Sequence, residues 1–101
     1  MSQHTIETVI FKLNKGESAD GFAKAAEAIT EFAERQKGFI TRRLSRGEDG
    51  LWIDHIEWET LADAQAAAAK IGQEASLGPC MKAIDETSVV MHHTSLEISV
   101  N

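Results

Sequence analysis

Between Ile6 and Leu13 the chain alternates, yet both sets of positions are largely apolar: Ile6, Thr8 and Ile10 on one side, Val9, Phe11 and Leu13 on the other. A period of two predicts a strand, and apolar residues in both phases predict burial on two faces. Asn14-Lys15-Gly16 turns the chain and Ser18 offers an N-cap oxygen. Phe22, Ala25, Ala26, Ile29, Phe32 and Ala33 then recur at helical spacing until Gly38 supplies a stop, which predicts one helix over about 19–36. Phe39 to Arg46 reads as a second strand, with Ile40 and Leu44 on one face and Arg42 and Arg46 beside them, a composition suited to a sheet edge. Gly47-Glu48-Asp49-Gly50 makes a hairpin connection, because glycine tolerates positive φ and Asp-Gly favours a tight reversal. The third strand, Leu51 to Trp58, places Trp52, Asp54, Ile56 and Trp58 on one face and Leu51, Ile53, His55 and Glu57 on the other.

Thr60-Leu61-Ala62-Asp63 has capping-box spacing and opens an alanine-rich helix that runs to Ile71 and ends at Gly72. Gly78-Pro79 opens a short helical piece that turns Cys80, Met81 and Ile84 inward. Ser88 to Leu96 is a last strand, with Val89, Met91 and His93 opposite Val90, His92 and Thr94. The resulting order, β-α-β-β-α-(α)-β, is the split βαβ or ferredoxin-like pattern: an α+β domain with an antiparallel sheet in strand order 4-1-3-2 and its helices on one face. Two main helices cover only one face, while the first and third strands are apolar on both. The uncovered face therefore calls for a shield, and the simplest is a second copy, giving a homodimer through the sheet face.

Length and charge narrow the function. The 101 residues form one domain, 1–101, and fourteen of the apolar residues are alanine, which leaves a modest core that a partner subunit would enlarge. A formal charge of −6, with Arg42, Arg43 and Arg46 as the basic cluster, argues against nucleic acid as a partner. The single cysteine, Cys80, allows no internal disulfide, and the residues after Met1 lack the charged start and apolar run of an export signal, so a cytoplasmic protein is expected. No apolar stretch approaches the roughly 20 residues that a membrane span needs.

Gln36-Lys37-Gly38-Phe39, Trp52-Ile53-Asp54-His55-Ile56-Glu57-Trp58 and the run Ile84 to His93, set in this element order, resemble the antibiotic-biosynthesis-monooxygenase (ABM) domains of the dimeric α/β-barrel superfamily, over nearly the whole chain. The resemblance implies a cofactor-free oxygenase acting on a small phenolic or quinol-like aromatic, a haem-degrading enzyme, or a homodimer without assigned activity. The quinone-forming members use an Asn and a Trp on the third strand, then a Tyr and an Arg on the helical segment. Here Trp58 fills the Trp position and Asp54 the Asn position; the chain has no Tyr, and the Arg position falls near Gly78. The haem-degrading members use an Asn on the first strand and a helical His as iron ligand; the corresponding positions here are Val9 and the run Ala66 to Ala69, which excludes haem degradation.

Among individual residues, Trp58 and Trp52 share a face with Asp54, so Trp58 is either core or an aromatic wall for a substrate, and Trp52 reads as core or dimer interface ahead of such a wall. Asp54 is a carboxylate in an apolar strand face and must be hydrogen-bonded, solvated or functional; an Arg or backbone partner is the structural alternative to a catalytic role. His93 shares parity with Val89 and Met91, which makes it a candidate for proton transfer, alongside a purely structural use. Asp54 and His93 stand roughly 10 Å apart if one strand separates theirs, so a bound ligand or water would have to bridge them. Adjacent His92 and His93 point to opposite faces and His55 lies opposite Asp54, which argues against a metal site. No glycine-rich phosphate loop follows a strand, so no haem, flavin, nicotinamide or metal cofactor is expected. The competing reading is a non-catalytic homodimer that binds a small molecule or simply packs.

Overall fold

The computed structural model describes residues 3–100; Met1 and Ser2, on which the leader expectation partly rests, and Asn101 lie outside the described residues. The elements are β1 (Thr5–Phe11), α1 (Ala19–Ala25), α2 (Glu27–Glu34), β2 (Phe39–Arg46), β3 (Trp52–Trp58), α3 (Leu61–Ile71), α4 (Gly78–Ala83) and β4 (Val90–Ser95), with 3₁₀ turns at Ala75–Leu77 and Glu86–Ser88. The strands form one antiparallel sheet in the order β2-β3-β1-β4, as the ferredoxin-like pattern requires. Among the described residues no helix is long and apolar enough to cross a membrane.

Register sorts the side chains. Phe11 pairs with Trp52, Val9 with Asp54 and Met91, and Glu7 with Ile56 and His93, so these residues share the face that the helices cover. Two apolar clusters fill the layer between. Phe11, Phe22, Ile29, Phe32, Trp52, Leu77 and Cys80 lie at one end, and Ala33, Ile56, Trp58, Ala64 and Ala67 at the other. The opposite face carries Ile6, Ile10, Ile53 and Val90 around a row made by Arg43, His55, Thr8 and His92, so it is only partly apolar.

Three boundaries depart from the pattern. The helix expected over 19–36 is broken at Ala26, because the guanidinium of Arg42 enters there. Its Nη1 donates to the Ala26 carbonyl at 2.9 Å and to Thr30 Oγ1 at 2.7 Å. In β2 an extra residue sits between the pairs Phe39↔Trp58 and Thr41↔Glu57. This bulge turns Ile40 out to the surface and leaves Phe39, rather than Ile40, on the side of Leu44. The first and last strands are shorter than expected: β1 stops at Phe11, with Leu13 bridging to Ile84, and Ser88 belongs to a 3₁₀ turn, its Oγ accepting from Lys12 N at 2.8 Å. Gly38 joins helix to strand at φ 85°, and a Cβ there would run into the Asp63 carboxylate, so only glycine fits this junction. At α3 the Thr60 hydroxyl accepts from Asp63 N at 3.0 Å, the cap that the sequence announces.

Candidate functional site

A cavity of about 260 Å³ lies between the sheet and the helices. Its floor is Glu7, Val9 and Phe11 of β1, Asp54, Ile56 and Trp58 of β3 and Met91 of β4; its cover is Ile29, Phe32 and Ala33 of α2, Ala67, Ala68 and Ile71 of α3, and Met81 of α4. The alanines make the space, since Ala67 and Ala68 put a methyl group where larger helix residues would fill the layer. Met81, Val89 and Met91 line the cavity and are also exposed, so its rim reaches the surface beside β4. The size is near the lower end for ligand pockets, which suits one compact molecule.

Three carboxylates line the cavity; Glu86 is exposed at the rim, and the two buried ones, Asp54 and Glu7, are held differently. Asp54 receives Arg42 Nε on Oδ1 at 2.9 Å and Arg42 Nη2 on Oδ2 at 2.8 Å, a bidentate pair with side chains 9% and 5% exposed. The remaining guanidinium nitrogen is spent on Ala26 and Thr30, so every part of Arg42 has a partner. The arginine cluster of the sequence is thus dispersed: Arg42 is internal, Arg43 is on the open sheet face, and Arg46 lies over the Trp52 ring at 5.7 Å.

Glu7, the second carboxylate, has an 8% exposed side chain and softer partners. Its Oε2 is 2.8 Å from His93 Nε2, directly across the β1–β4 pair, and its Oε1 is 3.4 Å from Trp58 Nε1, long for an N–H···O contact. His93 is itself partly exposed and is not among the cavity-lining residues; it reaches the cavity through Glu7. Glu7 is the residue that sequence reasoning missed. The signal was present, because Glu7 shares parity with Val9 and Phe11 as Asp54 does with Trp52 and Trp58.

The predicted site residues therefore divide. Trp58, 1% exposed, and Asp54 line the cavity. Trp52 does not: it stacks on Phe11 at 6.3 Å between centroids and meets Phe22 edge-on at 4.9 Å, inside the core. Asp54 and His93 are brought to one face but on strands separated by β1. Cys80 is buried, its Sγ 3.2 Å from the Leu77 carbonyl; burial pushes its thiol up, against the opposing pull of the Arg42 guanidinium. His92 and His55 both neighbour Thr8 on the open face, away from the cavity. Among the described residues, no group of three or more His, Cys, Asp or Glu side chains is placed to hold a metal ion.

Several solved structures with this arrangement carry oxygenase or monooxygenase names. SnoaB, a cofactor-independent oxygenase from Streptomyces nogalater, matches in a mutant form with a TM-score of 0.79 at 14% identity, over 98% of each chain. A further structure of SnoaB gives 0.67 at 16% identity, over 99% of this chain and 97% of that one. A protein from Nitrosomonas europaea, provisionally named an antibiotic biosynthesis monooxygenase, gives 0.71 at 14% identity, over 94% of this chain and 91% of that one. The chain has the fold of these proteins. At these identities the likeness concerns architecture, and the sequence matches no family model and no curated protein. The fold of this chain leaves the cavity between sheet and helices, and the side chains described above give that space its chemistry.

Proposed function

We propose that this chain is a homodimeric, cofactor-independent monooxygenase that converts a small phenolic or quinol-type aromatic to a quinone. The observation that carries the reading is the apolar cavity between sheet and helices, walled by Trp58 and containing two buried carboxylates. The ABM fold, with a neighbour named as a cofactor-independent oxygenase, supports it. The chemistry asks little of the protein. A hydroxyarene with a ring C–H reacts with dioxygen to give a quinone and one water, and the electron-rich anion of the substrate is the reductant. The protein must hold the ring, manage protons and keep water from the anion.

In this reading Trp58, packed edge-on against Phe39, is the stacking wall, and Trp52 belongs to the other core cluster and takes no part. Asp54, fixed by Arg42, is one polar point of the wall, and His93 acts through Glu7, which lies beside Trp58. The open sheet face, with Ile6, Ile10, Ile53 and Val90 and with His55 Nδ1 buried and unpartnered among the described residues, is the surface assigned to the second copy. The engagement of both Asp54 oxygens by Arg42 favours a second reading, a non-catalytic dimer that binds an aromatic ligand in the same cavity.

Oxygen uptake with a panel of dihydroxynaphthalenes and anthrols separates the two. Turnover above the uncatalysed rate, lowered by Trp58→Ala, Asp54→Asn or His93→Ala, is expected for the enzyme. Binding without oxygen consumption leaves the binding dimer. Sedimentation equilibrium is expected to give a dimer at micromolar concentration, and a stable folded monomer there removes the dimer from the proposal.

A further inference from the structure

We infer that Glu7 is the acid–base group of the cavity and that His93 is its positioning residue. The inference rests on the oxygenase reading for its chemistry and on geometry for its residues. A carboxylate that is to exchange protons with a ligand needs an oxygen facing that ligand and partners that release it. Asp54 has neither oxygen free, since the rigid Arg42 fork holds both. Glu7 lines the cavity with one oxygen held by His93 at 2.8 Å and the other facing only the distant Trp58 indole N–H at 3.4 Å. As the neutral Nε2–H tautomer or as imidazolium, His93 donates to Oε2 and so aims Oε1 at the cavity. The weak indole contact also puts Oε1 beside the ring against which an aromatic ligand would stack.

One carboxylate is enough for the whole reaction. Oε1 takes the hydroxyl proton of the substrate, and the resulting anion passes one electron to dioxygen. The substrate radical and superoxide join at a ring carbon that carries hydrogen, forming a C–O bond. Glu7 returns its proton to the peroxide anion, then removes the hydrogen from that carbon as a proton. The C–H electrons form the second carbonyl, the O–O bond breaks, and the departing hydroxide takes the proton back from Glu7 as water. Protons balance within the cavity, which explains how a site whose ionisable floor is buried can turn over without a wide path to solvent.

The test compares Glu7→Gln, Glu7→Asp, His93→Ala and His93→Gln with wild type. Glu7→Gln is expected to lower kcat about 10²- to 10⁴-fold with little change in KM, and Glu7→Asp to retain part of the rate. His93→Gln, which can still donate N–H to Oε2, is expected to recover most of what His93→Ala loses. A His93 that exchanges protons itself would not be rescued by Gln, and that result overturns its positioning role. Unchanged turnover in Glu7→Gln overturns the assignment of Glu7. If wild type turns over no panel member, the oxygenase reading has failed, and Glu7 is judged on binding alone with 4-nitrophenol, whose absorption moves to longer wavelength when its hydroxyl donates to a carboxylate. The shift is expected in wild type and is expected to vanish in Glu7→Gln while 4-nitrophenol still binds. A shift that persists in Glu7→Gln, or no binding to wild type, overturns the proposal.

Discussion

Asp54 and Glu7 sit on adjacent strands, face the same cavity and are almost equally buried, yet they solve the problem of a carboxylate in an apolar wall in opposite ways. Asp54 is matched by a planar cation that fills both oxygens and anchors a helix as well. Glu7 is matched by an imidazole and a distant indole, which leave one oxygen within reach of a ligand. Burial alone therefore does not distinguish the two carboxylates. What their partners leave free does.

Breaking the stronger pair gives the largest effect. Arg42→Met leaves Asp54 buried without its cation and removes the support of the Ala26 carbonyl. Unfolding in urea is expected to show a loss of about 3–5 kcal/mol, with Asp54→Asn similar because it strands the guanidinium instead. The double change Arg42→Met with Asp54→Leu is expected to recover most of the loss, since an apolar pair of similar volume replaces two buried charges. A loss no greater for Arg42→Met than for a surface substitution would sink the structural role given to this pair.

Glu7→Gln is the contrasting case. The amide keeps the shape, and neither neighbour is a fixed cation left without its counter-charge. The stability change is expected to stay within about 1 kcal/mol by the same urea measurement, in either direction. If Glu7→Gln destabilised the protein as much as Asp54→Asn, the two carboxylates would be equivalent and the division between them would collapse.

The smallest effect is read at Cys80, which feels the charges of Arg42 and Asp54 as well as its burial. Its thiol is raised in the folded state, so folding favours the protonated form. That contribution is present below the ordinary thiol value of 9.0 and fades as pH rises through the higher folded value. Stability measured across the alkaline range is expected to decline more steeply in wild type than in Cys80→Ala. Glu7→Gln is expected to leave this alkaline slope unchanged, because Glu7 is not among the charges that act on the thiol.

The same two residues show how far the sequence could be read. Asp54 stood out because Trp52, Ile56 and Trp58 surround it with period two, and its arginine partner was a named alternative. The choice of Arg42 was hidden by the bulge at Ile40 and by a contact that crosses from the edge strand into a helix interior. That crossing also explains why one helix was expected where two exist: the periodicity of Phe22, Ile29 and Phe32 carries straight through Ala26, and nothing local marks a break imposed by a side chain 16 residues on. Strand order, hairpin and caps were legible because each depends on neighbours in sequence. The cavity was not, because a void is a property of several elements that fail to fill one space.

The alanine run of α3 gives that void a particular character. Ala67 and Ala68 line it, and alanine is also the residue that best sustains a helix. The residue that hollows the domain is thus also the one that favours its helix, so the room inside comes at no loss of helix propensity. Cavity size is therefore an adjustable quantity, set by the side-chain volume at two neighbouring positions. Substitution by a longer helix-forming residue narrows the chamber without disturbing the strands that carry Glu7 and Asp54. Shape and chemistry are held on separate layers of the molecule, and each can change while the other stays.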